Sequence, residues 1–375
     1  MKLLHVITDL DRGGAEIMLL RVLPRLQSRG WEQRVICLSG PGEIGRQIQA
    51  AGFSVTYLNM KRATPSFAAF FRLMRILRQE SPDLIHSWLY HADLYTSLAN
   101  RFVRKPLVWG LHNSTLGREA KGTTKWIVRL LARLSHTAPA RILSCSRTAI
   151  QVHQAAGYRQ DILRFVPNGF DIDHFCPDEQ ARKTARQDLG LSAETILIGN
   201  ISRFDQQKNH AGLIRAWGLL AETFPQARFL LAGKDLTAEN TQLTGWIEAA
   251  GIRDRVLLLG IRSDVPALLN ALDLMVLSSN SGEAFPLIIG EAMSCGTLCV
   301  GTDVGDTAFL IADCRWTVPP EDDRLLAEAC AAMLRLSSEE KAALKQKSRA
   351  RIAENFTLDQ MTAGYDAVYR ETLGR

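Results

Sequence analysis

Short apolar runs recur along the whole chain and alternate with amphipathic segments, and this alternation leaves few folds open. The runs are LLHVIT (3–8), QRVICLS (33–39), SVTYL (54–58), DLIHSW (83–88), PLVWGLH (106–112), RILSCS (141–146) and ILRFVPN (162–168). After a break come ILIGNIS (196–202), ARFLLAG (227–233), RVLLLG (255–260), DLMVLSS (273–279), TLCVGTD (297–303) and CRWTV (314–318). Near-continuous apolar runs are what strands covered on both faces require. Strands separated by segments of helical period indicate parallel sheets in doubly wound α/β domains. The stretch PNGFDIDHFCPDEQ (167–180), rich in turn formers, divides the two series. Two Rossmann-like halves are therefore expected, as suits 375 residues, more than one core usually holds.

The apolar fraction, 46%, and the charged fraction, 22%, are those of an ordinary globular protein. No run of 18 apolar residues is present to span a membrane, and MKLLHVITDLDRGG breaks too early for a secretory signal. Cysteines 37, 145, 176, 295, 299, 314 and 330 form no CxxC pair, and the histidines form no HExxH. A reducing cytoplasm, no disulfide, no metal and no cofactor are expected. The net charge of +6 conceals an asymmetry: residues 1–170 hold 24 Lys and Arg against 10 Asp and Glu, and the remainder 21 against 29. The first half thus carries +14 and the second −8. A basic half suits a polyanion or an anionic lipid surface. No nucleic-acid module interleaves its arginines with stacking aromatics, so nucleic acid is not an expected partner.

In open α/β sheets ligands bind beyond the carboxyl ends of strands, and four sets of residues fall there. TDLDRGGAE (8–16) places Gly13 and Gly14 between a strand and a helix, where amides can approach an anion. It lacks the GxGxxG pattern of dinucleotide sites. ISRFDQQKNH (201–210) carries Arg203 and Lys208, a pair able to clamp a diphosphate. GEAFPLIIGEAMSCG (282–296) sets Glu283 before a helix and Glu291 inside it, with Pro286 near the first helical position and Gly296 past the end. The amides near Phe285 to Leu287 mark the start of that helix, where free N–H groups suit a phosphate or sugar oxygen. Glu291 would lie about 7–8 Å along the helix from Pro286, and a buried carboxylate there needs partners such as the two hydroxyls of a ribose. Lastly, His86, His91 and His112 sit at or near strand ends, His112 closing an apolar strand.

In order, GGAE, LHNS, PNGFD, SR-x4-KN, LAGK, RSDVPALL and E-x7-E, followed by CG and TDVG, resemble the retaining family-4 glycosyltransferases over nearly the whole chain. The resemblance implies the GT-B fold, two Rossmann-like doubly wound parallel-sheet domains facing across a cleft. Residues 1–168 with a returning helix, 356–375, would bind the acceptor, and 169–355 the nucleotide-sugar, a UDP- or GDP-sugar. Arg203 and Lys208 would hold the diphosphate, Glu291 the ribose, and Glu283 with the Phe285–Leu287 segment the transferred sugar. His112 would touch that sugar from the first domain. Gly14 would lie near the phosphates or the acceptor, Gly233 in the LAGK turn beside the donor, and Gly260 to Arg262 near the base. Ala284, Leu298 and Asp306 depart from the family pattern, where glycine, proline and glycine are common.

In retaining enzymes of this type the leaving phosphate takes the acceptor's proton, so no separate base is needed, and the two cations replace a metal. KRATPSFAAFFRLMRILRQE (61–80) and KGTTKWIVRLLARLSH (121–136) mix aromatics with arginines, as interfacial helices do. With the +14 half they suggest a saccharide or lipid-linked acceptor, peripheral contact with the inner face of the cell membrane, and a place in bacterial surface polysaccharide or glycolipid assembly. Two alternatives remain at this stage: a GT-B sugar-nucleotide epimerase, which needs no acceptor, and a non-enzymatic two-lobed sugar-binding protein.

Overall fold

The computed structural model describes residues 1–375 apart from 12, 61–65, 114–121 and 193. Arg12, the KRATP start of the first basic segment, Ser114 of LHNS and Lys121 thus lie outside the described residues. The chain forms two compact units. One comprises Met1–Gly169 with Leu358–Arg375, the other Phe170–Thr357.

The first unit runs β1 (Lys2–Ile7), α1 (Gly14–Ser28), β2 (Glu32–Cys37), α2 (Glu43–Ala50), β3 (Ser54–Tyr57), α3 (Phe67–Glu80) and β4 (Leu84–Trp88). It continues through α4 (Tyr90–Asn100), β5 (Leu107–Leu111), α5 (Gly122–Leu134), β6 (Arg141–Ser144), α6 (Arg147–Ala155) and β7 (Leu163–Phe165). Its sheet has the order β3-β2-β1-β4-β5-β6-β7, and every pairing is parallel. Strand order therefore reverses between β1 and β4. Leu73 and Leu77 of α3, Ala92 and Ala99 of α4 and Val128 and Leu131 of α5 bury themselves with Leu4, Val6, Ile85 and Trp109 of the sheet.

The second unit contains α7 (Glu179–Asp188), β8 (Ile196–Ile201), α8 (His210–Thr223), β9 (Ala227–Ala232), α9 (Thr241–Ala249), β10 (Val256–Leu258), α10 (Val265–Ala271) and β11 (Leu274–Leu277). Then follow α11 (Leu287–Ser294), β12 (Leu298–Thr302), α12 (Thr307–Ile311), β13 (Thr317–Val318), α13 (Asp323–Arg335) and α14 (Ser338–Asn355). The sheet order is β10-β9-β8-β11-β12-β13, again parallel, with its reversal between β8 and β11. The expected strand at 314–318 is shorter than its apolar pattern, because Cys314–Trp316 coil into a 3-10 turn. Asp313 caps that turn through the Arg315 amide.

The chain then returns to the first unit as α15 (Leu358–Thr372), which packs on α1. Its anchors are polar as well as apolar. Trp31 Nε1 donates to Asp366 Oδ1 at 2.8 Å, and buried Tyr369 hydrogen-bonds His86 Nδ1 at 2.7 Å. His86 is therefore a core residue neighbouring Trp88 and Tyr365, not a surface ligand-binding group.

Candidate functional site

In the second unit, the loops after β8 and β11 flank the point where strand order reverses, and these are the loops carrying Arg203, Lys208 and Glu283. They are fastened together. Asn280 N donates to Gln207 O at 2.9 Å, and Ser278 Oγ donates to Lys208 O at 2.8 Å. Gly282, at φ +80°, brings its backbone so close to Gln207 that a Cβ would collide with that amide. Lys208 closes a single 3-10 turn, Gln206–Lys208, which Asp205 caps through the Gln207 amide at 3.0 Å.

This fastening delivers the Lys208 ammonium to Glu283 Oε1, which also accepts from Ser279 Oγ at 2.6 Å. The two side chains are only 17% and 10% exposed, so neither is a solvated loop charge. Arg203 is more open and pairs with Asp205 at 3.1 Å. Burial would raise the Asp205 carboxyl, but the Gln207 amide and the Arg203 guanidinium outweigh it and hold the group below its ordinary value.

A third loop supports the Glu283 backbone. Gly305 of TDVG, at φ +61°, packs where a Cβ would strike the Glu283 carbonyl oxygen, and Asp306 N donates to Ala284 O at 2.9 Å. Thr302 Oγ1 donates to Ser279 O at 2.5 Å. Ala284 needs no left-handed backbone, since the positive φ falls on Gly282 instead. Leu298 is a buried strand residue in the core of the unit.

Pro286 stands one residue outside α11, at its N-cap, rather than at the first helical position; Leu287 begins the helix. The far end closes as expected. Gly296, at φ +72°, donates to Met293 O at 3.0 Å while Thr297 N reaches Ala292 O at 2.9 Å, a Schellman motif. Between them Glu291 is buried, not on a wet face. Phe285 turns its ring inward, stacked on Phe170 at 6.0 Å, which leaves its backbone as the part that can meet a ligand.

Gly233 and Gly260 prove to be points of backbone contact. Gly233 N donates to Gly260 O at 2.7 Å, and a Cβ on Gly233 would overlap the Ser202 carbonyl. They tie the loops after β9 and β10 to the loop bearing Arg203, since Phe204 N also donates to Lys234 O at 2.8 Å. Arg262 is engaged bidentately by Asp264, at 2.8 and 2.6 Å. His210, which the sequence did not single out, braces the same loop. Its Nε2 lies 3.1 Å from Ser202 Oγ, which donates to Asn200 Oδ1 at 2.7 Å, and burial pushes its pKa down to about 4.

In the first unit, Gly14 opens α1 beyond β1, and His112 follows β5. The His112 ring stacks on Trp88 at 5.0 Å and 10°, and burial pushes its pKa down to about 4, so it is neutral near pH 7. Gly110 makes room for it: a Cβ there would lie 2.9 Å from His86 Nε2 and 3.4 Å from His112 Nε2. His91 follows Leu89, whose φ of 74° and ψ of 154° are strained for a leucine. Burial lowers the His91 pKa, with Asp9 opposing. Thr8 Oγ1 accepts from Ala92 N at 3.3 Å, linking the ends of β1 and β4 at the point of strand reversal. Among the described residues no group of three His, Cys, Asp or Glu could hold a metal.

Comparison with known proteins places these observations. Anabaena HepE, solved in complex with UDP, superposes with a TM-score of 0.88 at 23% identity, covering 99% of this chain and all of that one. Sucrose-phosphate synthase from Thermosynechococcus elongatus gives 0.83 at 18%, with both chains fully covered. The fold is GT-B. The model for glycosyl transferases group 1 matches residues 181–352, and that for glycosyltransferase family 4 matches 12–174. The chain belongs to the family-4 glycosyltransferases.

Among curated relatives, a putative glycosyltransferase, EpsF, of Bacillus subtilis is 24% identical over 80% of this chain and 79% of its own length. The UDP-Gal:alpha-D-GlcNAc-diphosphoundecaprenol alpha-1,3-galactosyltransferase of Escherichia coli is also 24% identical, over 64% of this chain and 62% of its own. The epimerase alternative gains no support from these matches.

Proposed function

We propose that the chain transfers a sugar from a nucleoside-diphosphate sugar to an acceptor hydroxyl with retention at the anomeric carbon. The observation that carries this reading is the Lys208–Glu283 pair, held by two bolted loops where strand order reverses in the second unit. Transfer leaves a diphosphate whose growing charge must be met. Lys208 and Arg203 are the cations placed for it, and the Phe285–Leu287 backbone at the start of α11 adds dipoles. Glu283, fixed by Lys208 and Ser279, orients the hydroxyls of the transferred sugar. Glu291, buried within α11, takes the two hydroxyls of the ribose. Gly233, Gly260 and Arg262 line the base end, and Gly14 serves the phosphates. His112, neutral and stacked, offers a hydrogen bond to the sugar without bringing charge. With two protein cations on the diphosphate, turnover is expected to survive EDTA.

A lipid-linked saccharide is the acceptor class we favour, and a membrane surface its setting. Support comes from the Escherichia coli relative, whose name specifies a sugar on a diphosphate-linked lipid, and from the basic first half. A thermal-shift panel of UDP- and GDP-sugars tests the donor reading. One donor at a hundred times its Kd should add about 2.7 kcal/mol of stability, and Glu291→Ala should remove most of that gain. A panel that leaves the wild-type midpoint unmoved would falsify the reading.

A further inference from the structure

Where the second unit begins, its leading segment runs beside the far end of α11. Arg349 of α14 joins the two. Its Nη1 donates to Phe175 O at 3.4 Å and also to Ser294 O, and its Nη2 donates to Ile172 O at 3.5 Å. Two residues on, Pro177 Cγ lies against Gly296, 3.6 Å from where a Cβ would stand. Asn270 of α10 fixes the leading segment independently, donating to Cys176 O at 3.0 Å and accepting from Asp178 N at 2.8 Å. Phe175 is thus matched with Ser294, and Pro177 with Gly296. The residue between each pair of neighbours is a cysteine, Cys176 on one side and Cys295 on the other, and both are thiols in this structure.

A disulfide needs Cα atoms about 4.4–6.8 Å apart, and segments that touch on either side of a facing pair bring them toward that range. The two thiols differ in setting. Cys176 is partly exposed, whereas Cys295 is buried at the C-cap of α11. Burial pushes the Cys295 thiol up to about 12, with Cys176 and Glu291 adding to the rise and the Arg349 guanidinium opposing it. Cys299 is a third thiol nearby, but it is buried and its S–H donates to Thr297 O at 3.4 Å.

We propose that Cys176 and Cys295 form a reversible thiol–disulfide site, closed by a low-molecular-weight disulfide and opened by excess thiol. The Cys176 thiolate attacks the reagent disulfide, forms a mixed disulfide and releases one thiolate. The Cys295 thiolate then attacks the Cys176 sulfur and releases the second. The reagent S–S bond is exchanged for the Cys176–Cys295 bond, two electrons pass from protein to reagent, and the two protein protons leave on the released thiols. A reducing environment keeps the site open. Once closed, the bond ties the leading segment to the turn of α11 that carries Glu291, since Cys295 N donates to Glu291 O at 3.1 Å. It also closes most of the second unit into one covalent loop, which raises its resistance to unfolding.

The test incubates the full chain with oxidised glutathione at about pH 8.5, where a free thiol is half ionised. Incubation runs for hours, the timescale of uncatalysed disulfide exchange. After alkylation and digestion with trypsin and chymotrypsin, mass spectrometry should find a linked peptide pair joining Cys176 to Cys295, lost on treatment with dithiothreitol. Cys295→Ser should stop the reaction at the glutathione adduct of Cys176, Cys176→Ser should give no link, and Cys299→Ala should leave the link intact. The oxidised wild type should unfold at a higher urea concentration than the reduced protein, and Cys176→Ser should show no such gain. A wild type that forms no link, that stops at the Cys176 adduct, that joins Cys295 to Cys299 instead, or that gains no resistance to urea overturns the proposal.

Discussion

At the scale of single residues, Lys208 matters more than a loop lysine normally would, because its ammonium is buried against Glu283. Glu283 accepts from Ser279 as well, so the carboxylate is fixed before any sugar arrives. Lys208→Met removes the clamp on Glu283 and, on the donor reading proposed above, a contact to the diphosphate. It is expected to lower kcat/KM by about 10²–10³-fold, the range for losing one fixed electrostatic group. Glu283→Gln keeps the shape and the Ser279 partner but weakens the pull of Lys208, so it should reduce kcat more than donor affinity. Steady-state kinetics of the two variants check this, and equal, small losses would count against the pair. The sequence presented both residues but not their pairing, since 75 positions separate them. Gly305 was legible only as part of TDVG, because its role comes from the Glu283 carbonyl it must admit.

Elements were more readable than the residues they carry. Every apolar run corresponds to a strand, although most strands are trimmed where the chain bends toward a helix: 83–88 becomes Leu84–Trp88, and 162–168 becomes Leu163–Phe165. In the α3 segment the pattern placed Phe67, Phe70 and Phe71 together, whereas Phe70 turns toward the core and Phe67 and Phe71 face out. Helical spacing explains this: Phe67 and Phe71, four apart, share a face, whereas Phe70, next to Phe71 in sequence, points to another. In α11 the interior glycine is where local and tertiary effects conflict. Propensity alone would have Gly290→Ala stabilise the helix by about 0.5–1 kcal/mol. But a Cβ there would drive into the Phe170 ring, which stacks on Phe285. Overpacking costs about 1–3 kcal/mol, so the clash should win. Urea unfolding should show a net loss, accompanied by weaker donor binding as the Phe285 backbone shifts. A stabilised variant with full donor affinity would show that Phe170 can yield.

For the molecule as a whole, surface charge and exposed aromatics coincide on the first unit. The outer face of α3 shows Phe67, 81% exposed, and Phe71, 58%, one turn apart, followed by Arg72, Arg75 and Arg78. The outer face of α5 shows Trp126, 62% exposed, then Arg129 and Arg133. Both helices pack on α4, within a single helical layer. No helix among the described residues is long and apolar enough to cross a membrane. Each arginine near an anionic leaflet contributes about 1 kcal/mol, so the five arginines on these faces contribute about 5 kcal/mol that is lost on neutral lipid. Binding should therefore follow lipid charge first and aromatic content second. Cosedimentation is expected with phosphatidylcholine vesicles containing phosphatidylglycerol and not with phosphatidylcholine alone, and it should fall as salt shortens the Debye length from about 10 Å toward 3 Å. Replacing Arg75, Arg129 and Arg133 with glutamate should abolish binding, while serine at Phe67, Phe71 and Trp126 should weaken it and leave the charge dependence in place. Equal binding to neutral vesicles, or binding untouched by the arginine replacements, would mean that these faces are solvated helix surfaces and that the basic half meets its anion elsewhere.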